Sequence, residues 1–243
     1  MPLIKSISGI RGTIGSKKNE NLTPEDIKSF TVAFGEWVKS KTSNTSIKIV
    51  VGRDARKSGE MINSIVNNNL ISLGINVVDL GLSTTPTVEM MVLSEKAQGG
   101  IVITASHNPK EWNALKLLND AGEFIDAKNG SKIIEFAQSE KFNYAEVDDL
   151  GRIKVDDSYF DKHIQATLNL NNIDKINIKK ARFKVVVDGV NSSGGIIIPK
   201  LLENLNVEVV KIHCNPNGQF PHNPEPLKEH LGCLLYTSPS PRD

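Results

Sequence analysis

The chain has 243 residues, of which 39% are hydrophobic, 23% charged and 5% aromatic, and 29 Lys and Arg against 28 Asp and Glu leave a net charge of +1. A charge this balanced gives no electrostatic reason to expect nucleic acid or an acidic membrane surface as the main partner. No apolar run approaches the ~18–20 residues that cross a bilayer, the N-terminus lacks the apolar core of a signal peptide, and two cysteines make no disulfide framework. We therefore expect a cytoplasmic protein with one large domain or two small ones.

The sequence up to Ser139 predicts strands that alternate with helices. Thr23 is followed by Pro24, Glu25 and Asp26, a pattern typical of an N-cap, a proline at the first helical position and acids in the first turn. Alternation of this kind favours an α/β sheet over an all-α or all-β fold. The predicted strands cover residues 47–51, 75–80 and 101–104, with a short apolar stretch at 115–118, and the predicted helices start at Thr23, after Ser58 and at Thr85–Pro86, with a fourth over 127–139.

A polar and acidic stretch, residues 140–157, separates this pattern from a second one. We place the domain boundary there, near residue 150, with a first domain over 1–148 and a second over 155–231. The sequence of the second domain predicts, in order, a helix, a strand, a helix and a strand, over residues 159–170, 183–187, 196–204 and 207–212.

Two segments of the second half have no assigned chemistry. Gly189 to Gly195 do not form Gly-x-Gly-x-x-Gly, so we interpret them as a tight strand-to-helix turn and not as a dinucleotide site. Residues 232–243 are crowded with serine and proline in their second half. We interpret this tail as foreign sequence, such as read-through of a cloning adapter, with a native disordered tail as the alternative.

Residues 101–116 bring reactive side chains to the end of a predicted strand. The strand ends at Thr104, the chain continues through Ser106 and His107, and Lys116 follows ten positions after the serine. Ligands of α/β sheets bind beyond the carboxyl ends of the strands, and a serine beside an imidazole is able to act as a nucleophile or to carry a phosphoryl group. Ser-His-Asn-Pro is equally an ordinary turn, so the local chemistry leaves both interpretations open.

Four motifs together resemble one family. Residues 104–109, Thr-Ala-Ser-His-Asn-Pro, resemble the phosphoserine loop of the α-D-phosphohexomutases, which include phosphoglucomutase, phosphomannomutase and phosphoglucosamine mutase. Residues 8–12, Ser-Gly-Ile-Arg-Gly, and the segments 51–59 and 218–226 are similar to three further motifs of this family. All four occur in the family's order, which makes the combination specific. The resemblance implies a mixed-sheet α/β domain followed by a second, incomplete α/β domain of the same kind.

The resemblance also implies an enzyme, an isomerase that interconverts hexose 6-phosphate and hexose 1-phosphate through a hexose 1,6-bisphosphate. Ser106 would carry the phosphoryl group, and Mg²⁺ would be held partly by a phosphoryl oxygen on Ser106. His107 and Lys116 match the family's residues for proton transfer and charge stabilisation, and Arg11 matches an arginine that reaches the same phosphoryl group. The opening at residues 6–15 favours glucosamine phosphate as the substrate, with glucose and mannose phosphates as alternatives.

The sequence departs from the family pattern in two places. Ala114 stands where the family has glycine, and because alanine adopts a positive φ only at a cost, we expect a right-handed or extended backbone there. The family's metal loop, Asp-Gly-Asp-Gly-Asp-Arg, does not occur in the sequence, so this chain lacks the remaining Mg²⁺ ligands. We expect the N-terminal half of a longer mutase, which alone does not catalyse net isomerisation.

Other interpretations stay open at this point. A non-catalytic module that binds sugar phosphates is the main alternative, whereas a serine hydrolase is disfavoured because no Gly-x-Ser-x-Gly surrounds Ser106. We interpret Arg53, Asp54 and Arg56 as a structural ion-pair network rather than as functional residues. Trp112 favours core packing over a lid.

Overall fold

The structure is a computed structural model that describes residues 3–6, 9–139 and 142–237, except for the side chains of 235–237. No helix in these ranges is long and apolar enough to span a membrane. The chain divides into two compact units. The first comprises Met1–Asp54, Ser58–Ala105 and Glu111–Tyr159, and the second comprises Ala55–Lys57, Ser106–Lys110 and Phe160–Asp243.

Helices and strands alternate through most of the chain. Short 3₁₀ turns lie at Val147–Asp149 and Lys228–His230. The first unit contains β1 (Ile4–Ser6), β2 (Gly9–Thr13), α1 (Pro24–Lys41), β3 (Lys48–Arg53), α2 (Gly59–Ser72), β4 (Asn76–Leu82), α3 (Thr85–Ser94), β5 (Gly99–Ile103), β6 (Trp112–Leu118), α4 (Ala127–Ser139) and β7 (Ile153–Val155). The chain continues with α5 (Tyr159–Leu168), α6 (Lys175–Ala181), β8 (Lys184–Asp188), α7 (Gly194–Asn204), β9 (Glu208–Ile212) and α8 (Gly232–Thr237).

The sheet of the first unit is mixed and has seven strands in the order β1-β2-β6-β5-β3-β4-β7. The pairs on the β1 side of β5 are antiparallel, whereas β5, β3, β4 and β7 are parallel. One face packs its buried side chains with those of α1, α2 and α4, among them Phe34, Leu70 and Ile133. Helix α3 covers the other face, where a Cβ on Gly52 would lie 2.6 Å from Val88. The predicted α/β fold with a mixed sheet is confirmed.

The capping signals specify one helix start fully and two in part. Thr23 and Asp26 form a reciprocal capping box at the start of α1, which confirms the prediction. Ser58 is the N-cap of α2, but its hydroxyl makes no cap bond and instead accepts a hydrogen bond from the Asn113 amide at 2.9 Å. The N-cap of α3 is Thr84, one residue earlier than predicted.

The motif at residues 8–12 forms most of strand β2, and its first glycine lets β2 pair closely with β6. Ser8 lies outside the described residues. Gly9 has φ +139°, and a Cβ there would lie 1.9 Å from the carbonyl oxygen of Leu115 on β6. Only glycine therefore permits this close pairing of β2 with β6. Ala114 lies within β6, which confirms the expected extended backbone, and Trp112 is buried, which confirms core packing.

The second unit has a two-stranded parallel sheet formed by β8 and β9. The turn between β8 and α7 is tight, because a Cβ on Gly189 would lie 2.6 Å from the Cα of Gly195. Residues 232–237 form α8, and 238–243 lie outside the described residues, so the origin of the tail stays a prediction. The domain bounds 1–148 and 155–231 also stay predictions.

Tyr159 makes the stability of the first unit sensitive to alkaline pH. Its hydroxyl donates to the carbonyl oxygen of Leu82, and burial, reinforced by nearby aspartates against the opposing charge of Arg53, raises its pKa from 10.0 to about 12. The folded state therefore favours the neutral phenol, and this contribution, complete below pH 10, is lost as the pH rises to about 12. Tyr159→Phe should cost about 1 kcal/mol at neutral pH. Urea unfolding should also show a smaller fall in stability above pH 10 for this variant than for the wild type.

Tyr144→Phe supplies the control, because it changes a tyrosine that is 49% exposed. Its alkaline fall in stability should match that of the wild type. An equal fall in Tyr159→Phe and the wild type would contradict the assignment of this sensitivity to Tyr159.

Candidate active site

The carboxyl ends of β3 and β5 meet at one edge of the first sheet. The two strands are parallel neighbours, and Asp54 and Thr104 follow them directly. The Thr104 hydroxyl donates to Asp54 Oδ2 at 2.6 Å, and the Asp54 N–H donates to the Ile103 carbonyl at 3.0 Å. Both side chains are buried, so these bonds fix the ends of the strands from which residues 55–57 and 106–110 continue.

Arg11 and Lys116 share one face of this sheet. Arg11 pairs with Ala114 across β2 and β6, and Gly9 pairs with Lys116. Because side chains alternate along a strand, Arg11 and Lys116 project from the same face as diagonal neighbours. Arg11 is exposed and Lys116 half-buried, so the face carries two positive charges in different environments.

Burial dominates the electrostatics of Lys116. It lowers the pKa of the ammonium group below 10.5, the nearby Arg11 charge acts in the same direction, and the carboxylates of Asp54 and Glu89 partly oppose the shift. Burial in turn raises the pKa of Glu89, against the opposing charge of Lys116. Lys116 consequently releases a proton more readily than an ordinary lysine, which suits a general acid.

Lys116→Met should stabilise the first unit at neutral pH. The unfolded chain binds more protons on this lysine between the lowered pKa and 10.5, so stability rises with pH through that window in the wild type. Methionine removes the cost of burying a charge and abolishes this part of the rise. Lys128→Met, which changes an exposed lysine of α4, is the control. A Lys116→Met protein less stable than this control at pH 7 would contradict the expectation.

Arg56 holds the loop of residues 106–110 by its backbone. The residue is only 2% exposed, and its guanidinium donates to the carbonyl oxygens of Ser106 at 2.8 Å, Asn108 at 2.7 Å and Pro109 at 2.6 Å. Its planar end also lies 5.1 Å from the centre of the Phe220 ring. Three charge-assisted hydrogen bonds from one rigid group therefore fix the path of the loop.

The Ser106 and His107 side chains are exposed on this loop. Ser106 has φ +56°, in the left-handed region. Its Oγ lies 3.5 Å from His107 Nδ1, and His107 Nε2 lies 3.3 Å from a carboxylate oxygen of Glu225. The imidazole thus stands between a hydroxyl and a carboxylate, an order that allows it to accept a proton and to be stabilised as a cation.

The Mg²⁺ that the resemblance implies finds no matching donor set in the described part of the chain. One group of three metal-ligating side chains occurs there, formed by Asp188, His213 and His222. Mg²⁺ prefers oxygen ligands in octahedral geometry, whereas this group offers two imidazole nitrogens and one carboxylate. The group does not fit Mg²⁺.

The four predicted site residues fall into two pairs. Ser106 and His107 belong to the second unit, and Arg11 and Lys116 belong to the first. Their catalytic roles stay predictions.

Sequence reasoning missed the part played by Arg56, the carboxylate of Glu225 and the group around Asp188. Arg56 lies in the 51–59 motif and Glu225 in the 218–226 motif. These motifs indicate that the two segments matter, but they do not indicate which residues their side chains contact.

Comparison with known proteins matches each of the two parts of the chain to a known domain. Residues 4–144 match phosphoglucomutase/phosphomannomutase, alpha/beta/alpha domain I, and residues 157–237 match alpha/beta/alpha domain II. A phosphoglucomutase/phosphomannomutase of Thermococcus kodakarensis is 38% identical over 92% of this chain and 47% of its own length. A phosphoglucosamine/phosphogalactosamine mutase of Sulfurisphaera tokodaii is 32% identical, with the same coverage of 92% and 47%. The chain thus spans about half the length of these curated relatives.

Solved structures agree on the fold. A phosphoglucomutase/phosphomannomutase family protein from Burkholderia thailandensis superposes with a TM-score of 0.73 at 24% identity, over 96% of this chain and 51% of its own. A protein from Thermus thermophilus gives a TM-score of 0.80 at 24% identity, over 98% of this chain and 53% of its own. The family models and the curated relatives confirm the resemblance that the four motifs indicated. The chain belongs to the phosphoglucomutase/phosphomannomutase family, of which it carries domains I and II.

Proposed function

We propose that this chain is the phosphoryl-carrying half of a phosphohexomutase, and that Ser106 carries the phosphoryl group. The observation that supports this most is the loop of residues 106–110, whose backbone is fixed by the buried Arg56 while the Ser106 hydroxyl stays exposed. A fixed backbone with an exposed nucleophile is the arrangement that phosphoryl transfer needs, because catalysis of this reaction rests on positioning and charge stabilisation.

The other residues take separate roles in the proposed reaction. When Ser106 receives a phosphoryl group, an Oγ–P bond forms, a hexose O–P bond breaks, and the hydroxyl proton leaves to His107. Glu225 stabilises the resulting imidazolium. The hexose oxygen takes up a proton, for which Lys116 with its lowered pKa is the proposed donor. Arg11 supplies positive charge to the transferring group.

The proposed substrates are hexose 6-phosphate, hexose 1-phosphate and the 1,6-bisphosphate between them, in the cytoplasm. Glucosamine phosphate is favoured by the sequence at residues 6–15 and by the name of the S. tokodaii relative, and glucose and mannose phosphates are the alternatives. Mg²⁺ is the proposed cofactor of the longer protein, and this chain would contribute the phosphorylated Ser106 to it. We call that longer protein, which we propose carries this chain as its N-terminal half, the parent protein.

Coupled assays of the parent protein with glucosamine, glucose and mannose phosphates test this function. We expect interconversion of the 1- and 6-phosphates with at least one sugar, and no net isomerisation by the 243-residue chain alone. Binding of these sugar phosphates without turnover by the parent protein would favour a non-catalytic binding module. Robust turnover by the 243-residue chain would contradict the proposed division of the parent protein.

A further inference from the structure

Three side chains of the second unit converge at the carboxyl ends of β8 and β9. Asp188 is the last residue of β8, His213 follows the end of β9, and the two strands are parallel neighbours. His222 reaches the same place from the segment 218–226. The carboxyl ends of adjacent parallel strands are where α/β sheets bind ligands.

The distances among these side chains suit a small metal ion. His222 Nε2 lies 2.9 Å from Asp188 Oδ2, and His213 Nδ1 lies 3.2 Å from Asp188 Oδ1. All three potential ligand atoms lie within 4.8 Å of one another. Ligands of a tetrahedral Zn²⁺ at about 2.0–2.1 Å are separated by roughly 3.3 Å, so small shifts would place all three around one ion.

Hydrogen bonds around the group prepare two of its members as ligands. His222 Nδ1 donates to the carbonyl oxygen of Asn223 at 2.8 Å, which turns Nε2 towards Asp188 Oδ2 at 2.9 Å. A bound cation would take the place of the proton that Nε2 donates to this carboxylate. Metal-binding histidines are commonly oriented by this kind of bond. Asp188 Oδ1 accepts the backbone N–H of Val190 at 2.9 Å, and its side chain is only 6% exposed. The carboxylate is therefore held in one orientation and is largely shielded from solvent.

Glycine allows the chain to close around this group. A Cβ on Gly189 would lie 2.6 Å from the Cα of Gly195 and 2.9 Å from the carbonyl oxygen of His213. The backbone after β8 consequently approaches the backbone after β9 more closely than any other residue at position 189 would permit.

We propose that Asp188, His213 and His222 form a binding site for a borderline divalent cation of the Zn²⁺ class. Imidazole nitrogens suit such cations, and two imidazoles with one carboxylate give three protein ligands and leave a fourth position for water or an anion. The bound ion joins the 218–226 segment to the ends of both strands and stabilises the second unit. This site is independent of the proposed phosphoryl transfer, and its test needs no mutase activity.

Titration of the 243-residue chain with Zn²⁺ against a chromophoric chelator tests the proposal. We expect one equivalent of Zn²⁺ to bind, with no competition from excess Mg²⁺, and Co²⁺ to give the visible absorption of a tetrahedral site. His213→Gln and His222→Gln should each weaken Zn²⁺ binding by about 100-fold. His163→Gln, which changes a histidine of α5 outside the group, should bind as the wild type does.

Thermal unfolding gives a second measurement that does not depend on the variants folding. Zn²⁺ should raise the Tm of the wild type and of His163→Gln, because a ligand that binds only the folded state stabilises it. Circular dichroism checks that the variants are folded. A wild-type chain without stoichiometric Zn²⁺ binding would overturn the proposal, as would unchanged affinity in a folded His222→Gln protein.

Discussion

We expect Ser106→Ala to abolish turnover in the parent protein and to leave the fold intact. The hydroxyl is the only group of this side chain that is able to carry a phosphoryl group, and no other described residue of the loop at 106–110 bears a hydroxyl. The side chain is exposed, so its truncation should change the free energy of unfolding by no more than about 0.5 kcal/mol. Steady-state kinetics and urea unfolding of the same preparations measure both effects.

Ser106→Gly separates chemistry from stability more sharply. Ser106 has φ +56°, which glycine adopts without the penalty of a Cβ, so this variant should be more stable than the wild type by about 1 kcal/mol and still inactive. Ser139→Ala, at an exposed serine of α4, is the control for both measurements. Normal mutase activity in either Ser106 variant would remove Ser106 from the reaction.

Arg56→Met is expected to damage both stability and turnover. Methionine keeps most of the buried apolar stem but leaves the carbonyl oxygens of Ser106, Asn108 and Pro109 without their donor. The loss of three hydrogen bonds from a charged donor should cost about 3 kcal/mol or more in total. The loop would also lose its fixed path, and a displacement of about 1 Å lowers a rate by roughly 100-fold, so kcat of the parent protein should fall by that order.

A lysine at this position distinguishes geometry from charge. Arg56→Lys keeps the charge but not the planar fork that reaches three carbonyls, so it should recover only part of the stability and of the rate. The exposed Arg152, changed to methionine, is the control. An Arg56→Lys protein with wild-type kcat would show that charge alone suffices and that the guanidinium geometry does not position the loop.

Local signals predicted the helices better than the strands. The Thr23 cap and its following proline determine α1 because all their partners lie within one helical turn. The apolar stretch at 115–118 covers only the last four residues of β6, because Trp112 and Asn113 follow a polar loop. Asn113 is nevertheless buried in the strand, where its side chain bonds the Ala114 N–H and the Ser58 hydroxyl. A polar residue satisfied by distant partners gives no periodic signal.

Strand β7 shows the same limit at the edge of the sheet. Its three residues are all exposed, and it is defined by its pairing with β4 rather than by an apolar pattern. No local feature of Ile153 to Val155 specifies that partner, since the pairing joins residues that lie far apart in the sequence.

In the candidate site, too, the sequence indicates residues that are adjacent but not contacts between residues far apart in the chain. The motifs locate Ser106 and His107 because those residues are adjacent, whereas the sequence around Arg56 predicts only an ion-pair network. Its burial depends on carbonyl oxygens 50 to 53 positions away. Asp188 and His222 are 34 positions apart, so only the folded sheet brings them together. Pairing at such distances depends on tertiary structure, which a single sequence does not display.

Intact-mass analysis of the parent protein tests most directly whether Ser106 carries the phosphoryl group. After incubation with a hexose 1,6-bisphosphate, we expect the mass of one phosphoryl group on the wild type, removed by phosphatase and located on Ser106 by peptide mapping. Ser106→Ala treated in the same way should show no increase. A wild-type protein that never gains this mass, or an equal gain in Ser106→Ala, would contradict the account.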